Sequence, residues 1–216
     1  TSCEKNEYGQ LTNDDAQIFT ALSETDVETK TVLSSNLVLW EEGDEVSLFN
    51  GSDINDLYGV KAGTSGKTTA TLVRKQIGSG DATVSFDANV AYYPYSSKIK
   101  YAKEGTSHSL NVTIPSEQHY LPKSFARYAM PMVAVTGSKA ESELKFKNLF
   151  GVLKLQLTGS KMTVKSITIK GNSKEKLSGD ATVALNPNGY TTVSFGSEGG
   201  EEVKLVCNDV KLNETT

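Results

Sequence analysis

Apolar and polar residues alternate along most of this chain, and a period of two belongs to strands, not to helices. Over 151–159, Leu153, Leu155 and Leu157 lie on one face and Lys154 and Gln156 on the other, with a glycine at each end. Over 109–114, Leu110, Val112 and Ile114 share a face until Pro115 stops the run. The stretches 181–185 and 190–195 flank Asn186-Pro187-Asn188-Gly189, a turn sequence, and predict a hairpin. Further strands are predicted over 36–40, 45–49, 68–74, 82–86, 90–95 and 163–170, and short helical turns over 14–22 and 141–149. Many short strands between Gly-, Ser- and Asn-rich turns predict an all-β fold. We expect a two-sheet β-sandwich, mostly antiparallel, in which each sheet buries its apolar face on the other.

The 216 residues suffice for one large all-β domain, or for one domain plus part of another, and 37% hydrophobic with 22% charged residues suits a globular protein. A net charge of −4, with no basic stripe, gives nucleic acid nothing to neutralise its phosphates. No apolar run approaches the ~18–20 residues of a membrane-spanning helix.

The chemistry-bearing residues are sparse and scattered. Gly63-Thr64-Ser65-Gly66-Lys67-Thr68 resembles a phosphate loop, but Lys61 stands where the motif needs its first glycine and a strand-like Thr-rich run follows. His108 and His119 lack a Cys or Glu at metal-ligand spacing, and no Gly-x-Ser-x-Gly elbow accompanies them. The acidic run Glu41-Glu42-Gly43-Asp44-Glu45 lacks the alternate spacing of a calcium loop and is expected to form a solvated turn. We therefore expect no catalytic residues, no metal and no cofactor. In Tyr92-Tyr93-Pro94-Tyr95, alternation buries Tyr93 and Tyr95 and turns Tyr92 outward. Tyr92, Trp40 and Tyr120 are the aromatics that could stack on a glycan or other surface ligand, if exposed.

The two cysteines differ in setting. Cys207 ends an alternating run in which Val203, Leu205 and Cys207 share a face, and is expected to be a buried thiol; a disulfide to Cys3 is the alternative. Cys3 follows two small residues and precedes a polar stretch, which resembles the end of a lipoprotein signal sequence. On that resemblance Cys3 carries acyl chains, and residues 1–16 are anchor and spacer.

Four stretches in order resemble fimbrillin-like proteins of Bacteroides-type bacteria. Trp40-Glu41-Glu42-Gly43-Asp44-Glu45-Val46-Ser47-Leu48-Phe49 resembles their Trp-x-x-Gly-Asp segment, and Tyr93-Pro94-Tyr95 their Tyr-Pro-Tyr. Met130-Pro131-Met132 resembles their Met-Pro-Met strand, and Phe146-Lys147-Asn148-Leu149-Phe150-Gly151 the opening of a second half-domain. The resemblance implies a transthyretin-like sandwich over 17–216, truncated before a second β domain. It also implies a structural role as a fimbrial (type V pilus) subunit or fimbria-associated lipoprotein of the outer membrane surface. Such subunits assemble by β-strand addition after a protease removes an N-terminal strand, for which Lys30 is the candidate processing site and 17–32 the displaceable segment. Partners would be other pilus subunits or copies of itself by donor-strand exchange, the outer membrane through lipid on Cys3, and a host or bacterial surface ligand. The alternative is a surface lipoprotein binding module, an adhesin or glycan-binding protein that does not polymerise.

Overall fold

The computed structural model describes residues 16–23, 38–122, 124–126, 129–186 and 191–213. Among them the fold is all-β, without a helix. The strands are β1 (Phe19–Ser23), β2 (Glu45–Ser52), β3 (Asp56–Val60), β4 (Thr69–Gln76), β5 (Ser85–Tyr93), β6 (Lys100–Glu104) and β7 (Ser107–Ile114). They continue as β8 (Glu117–His119), β9 (Met132–Val135), β10 (Glu143–Asn148), β11 (Thr163–Lys170), β12 (Gly179–Leu185), β13 (Thr192–Phe195) and β14 (Glu202–Lys211).

Seven strands close a ring in the order β1-β10-β9-β5-β2-β3-β4, with β4 returning to β1. A four-stranded sheet, β13-β12-β7-β6, and a three-stranded sheet, β11-β14-β8, complete the described fold. Pairing is antiparallel except for β1 with β10 and β14 with β8.

Two apolar cores account for the ring and for the four-stranded sheet stacked on it. Inside the ring lie Phe19, Ala21, Trp40, Val46, Leu48, Tyr58, Leu72, Ala91, Tyr93, Met132, Leu144 and Phe146. The second core lies between the outer face of β2, β5 and β9 and the four-stranded sheet. Phe49, Val90, Tyr92 and Val133 meet Tyr101, Leu110, Val112, Ala181 and Val183 there. Strands β2, β5 and β9 are therefore covered on both faces, whereas β7 and β12 alternate buried and exposed as one-sided strands do. In β2 the ladder to β5 shifts between Asn50 and Ser52, at Gly51. Its φ is +66°, and a Cβ there would stand 3.0 Å from the Phe86 carbonyl, so glycine makes the bulge.

The predicted strands over 45–49, 68–74, 109–114, 163–170 and 181–185 form, and β12 pairs with β13 as the hairpin expectation requires. The expectations for 82–86 and 90–95 merge into the single strand β5; of 36–40 only 38–40 are described, and they contribute the bridge from Trp40 to Lys67. Three expectations fail outright. In place of the helical turns expected over 14–22, described from Ala16 on, and over 141–149 stand β1 and β10, neighbours in the ring, where main-chain partners on both sides outweigh local preference. The run over 151–159, the most regular alternation in the chain, belongs to no strand, and its leucines stand in water. The sandwich expectation holds at the level of an all-β fold with one sheet stacked on another; the wall beneath that sheet belongs to a closed ring.

Candidate functional site

The seat of β1 is the place where the fold depends on one short segment. Phe19, Ala21 and Ser23 are almost fully buried, while Ile18 is exposed and Leu22 half-buried, so this strand has one face in the ring's core. Burying Phe19 alone is worth about 2–3 kcal/mol. Its ring meets Tyr58 edge-on at 5.6 Å.

Both edges of β1 are paired. Thr20 lies opposite Glu143 in the parallel ladder to β10 and opposite Thr71 in the antiparallel ladder to β4. The Thr20 amide donates to the Ser142 carbonyl and the Ser23 amide to the Thr68 carbonyl, each at 2.8 Å. Side chains fasten the ends. The Tyr58 hydroxyl donates to the Gln17 carbonyl at 3.2 Å, Gln17 Nε2 donates to the Glu141 carbonyl at 3.1 Å, and Ser23 Oγ donates to the Val38 carbonyl at 2.6 Å. Among the described strands β4 and β10 do not pair with each other; β1 stands between them and pairs with both.

The residues singled out by sequence do not gather at one place. Cys3 and Lys30 lie outside the described residues. Trp40 is 1% exposed and packed edge-on against Tyr93 at 5.6 Å and Phe146 at 5.1 Å, so its ring is core and faces no ligand. Tyr92, expected outward, is 4% exposed because the four-stranded sheet covers that side of β5. Burial pushes its phenol well above the usual tyrosine range. Tyr95, expected inward, is only partly buried. Tyr120 alone of the three ligand aromatics is open, beside the exposed Leu121.

The remaining motifs have structural roles. Gly63 and Gly66, both at positive φ, make the turn that leads into β4. Asp44 is buried rather than solvated: it accepts the Glu41 amide at 2.8 Å and the Tyr93 hydroxyl at 2.9 Å. Asp53 accepts the Thr83 hydroxyl and the Thr83 and Val84 amides. Burial raises the Asp53 carboxyl, but these hydrogen bonds outweigh it and hold the group below its ordinary value. His108 hydrogen-bonds Tyr101 at the rim of the second core, and Cys207 is buried as a free thiol. Among the described residues no cluster of three or more His, Cys, Asp or Glu could hold a metal, and no helix is long and apolar enough to cross a membrane.

No family model, curated protein or solved structure matches this chain. Of the segment 17–32, only 17–23 is described and contains β1; the groups that hold β1, Tyr58 and the β10 edge, were missed in the sequence. The signal for β10 was present in Leu144 and Phe146 alternating with Glu143, Lys145 and Lys147.

Proposed function

We propose that this chain is a structural subunit of a cell-surface assembly, a fimbrillin-like lipoprotein that joins its neighbours by β-strand addition. The observation that carries the proposal is the seat of β1. Withdrawal of those five residues would free two sheet edges, on β4 and β10, and uncover an apolar slot shaped by Phe19 and Ala21. A neighbour's strand with apolar residues at alternate positions meets both needs at once: main-chain hydrogen bonds to the edges and side chains for the slot.

In this proposal Cys3 carries the acyl chains that hold the subunit at the outer membrane surface or the base of a fimbrium. Cleavage after Lys30, between β1 and Trp40, frees β1 to leave. Its partners are other pilus subunits or further copies of this chain. The sheet stacked on one wall of the ring supports a relation to the transthyretin-like sandwich of the resembled family.

The test is brief trypsin treatment to cut after Lys30, followed by addition of a labelled peptide spanning residues 17–23. Uptake of the peptide by cut chain alone, with ladders on unboiled denaturing gels, is the expected result. A cut chain that neither takes up the peptide nor oligomerises overturns the proposal. The mass of native material reports separately on lipid at Cys3.

A further inference from the structure

The seat of β1 is not evenly apolar, and its three inward places take different side chains. Phe19, Ala21 and Ser23 point inward, at 0, 0 and 5% exposure. Phe19 stands opposite Leu72 of β4 and edge-on to Tyr58, so the first place holds an aromatic ring. Ala21 stands between Ala70 of β4 and Leu144 of β10. The interior of the ring on this side is already taken by Trp40 and Phe146, packed edge-on at 5.1 Å. A longer side chain at the second place would overpack a closed wall of strands.

The third place is polar at its floor. Ser23 Oγ donates to the Val38 carbonyl at 2.6 Å and has the Thr68 carbonyl within reach at 3.2 Å. An apolar side chain there takes this donor from the Val38 carbonyl and puts nothing in its stead. A site built around a hydroxyl rejects the analogue that lacks it more strongly than an apolar pocket rejects an extra methylene. The other contacts of β1 do not discriminate. The ladders and the Tyr58 hydroxyl meet main-chain atoms, the Gln17 side-chain bonds are exposed, and Thr20 points outward.

We propose that the seat selects its occupant by side chains in the order aromatic, small, hydroxyl at alternate positions, read in the direction of β10. The partner is then a strand of that form, not any strand with one apolar face. This rests on the reading of β1 as an exchangeable strand and names which strands can replace it. Within the 216 residues only Phe19–Ser23 sets an aromatic residue, Ala or Gly, and Ser or Thr at successive alternate positions. The nearest stretches, 49–53 and 86–90, end on Asp53 and Val90. From these residues a second copy can therefore fill the seat only with its own β1.

The test is competition on chain nicked after Lys30, with a labelled peptide of residues 17–23 and unlabelled variants of it. A Thr20→Val peptide should compete as well as the native one, since that side chain points outward. Ala21→Leu and Ser23→Ala peptides should each compete on the order of tenfold less well or worse. The doubly changed Ala21→Leu, Ser23→Val peptide is more apolar than the native one and should be the weakest of the set. Exchanging Phe19 and Ser23 within the peptide keeps its composition and should abolish competition. If the doubly changed peptide competes as well as the native one, selection at the seat is overturned while strand addition there stands. If the native peptide is not taken up at all, both fall. The intact chain gives a second measurement: Ala21→Leu and Ser23→Ala should speed hydrogen exchange at the β4 amides that face β1, and Thr20→Val should not. Equal rates in all three variants overturn the proposal.

Discussion

Asp44 ties two parts of the ring together with a single carboxylate. Oδ2 accepts the Glu41 amide and so closes the turn before β2, while Oδ1 accepts the Tyr93 hydroxyl at the end of β5. Asp44→Ala takes this acceptor from the buried Tyr93 hydroxyl, at about 1–3 kcal/mol, and from the part-buried Glu41 amide, at about 1 kcal/mol. We expect a total loss of about 2–4 kcal/mol in urea unfolding, and a smaller loss for Asp44→Asn, whose carbonyl can still accept one of the two. Tyr58 makes the second residue-scale prediction. Burial pushes its phenol up to about 12, with Arg74 pulling the value down and Asp56 pushing it up. Its folded value lies above the ordinary value of 10.0. Its contribution to stability is therefore whole below about pH 10 and is lost as pH rises through about 12. Because the neutral hydroxyl donates to the Gln17 carbonyl, that loss falls on the mooring of β1. Alkaline unfolding of Tyr58→Phe should lack this component, and absorbance titration should show one late-ionising tyrosine fewer. At this scale the sequence was readable where one face of a strand is covered: Leu110, Val112 and Ile114 lie inward as alternation requires. Tyr92 was not readable, since its burial comes from a sheet whose strands start at Lys100 and end at Phe195.

Strand β1 shows what an element owes to its surroundings. Five residues carrying two fully buried apolar side chains cannot hold a strand alone, so its conformation is imposed by the ladders on either side. Phe19→Ala should cost about 3–5 kcal/mol, the usual range for emptying a core phenylalanine site. Much of that loss should appear as faster hydrogen exchange at the β1-facing amides of β4. Ile18→Ala, at an exposed neighbour, should change little. A Phe19→Ala loss no larger than that of Ile18→Ala would mean that the slot closes around the smaller side chain. The same dependence explains the errors of prediction. Ala16, Gln17, Ala21 and Leu22 favour helix locally, and only the neighbouring edges of β4 and β10 make this segment a strand. Conversely, 151–159 has the best strand pattern in the chain and no ladder among the described residues. Alternation encodes an amphipathic ribbon; pairing requires an edge, which a local pattern does not contain.

Among the described residues, the ring and the sheet stacked on it form two cores that share one wall. Strands β2, β5 and β9 present Val46, Leu48, Ala91, Tyr93 and Met132 to the ring, and Phe49, Val90, Tyr92 and Val133 to the stacked sheet. The fully buried apolar side chains of β1, Phe19 and Ala21, belong to the first core; the second contains none of its residues. The two cores should therefore respond unequally when β1 is taken away. In a chain cut after Lys30 and stripped of β1, the amides of β4 and of β10 that face it lose their acceptors and should exchange fast. Trp40, packed on Phe146 of β10, should report the opened slot by a red shift of its emission, since it is the only tryptophan in the sequence. The amides that pair β7 with β12 should keep their protection, because Leu110, Val112, Ala181 and Val183 rest on the shared wall and not on β1. Adding a peptide of residues 17–23 should reverse both changes in the ring and leave β7 and β12 as they were. If protection of β7 and β12 collapses together with that of β4 and β10, the wall transmits the loss, the cores form one cooperative unit, and strand exchange at β1 would have to pass through a globally unfolded subunit.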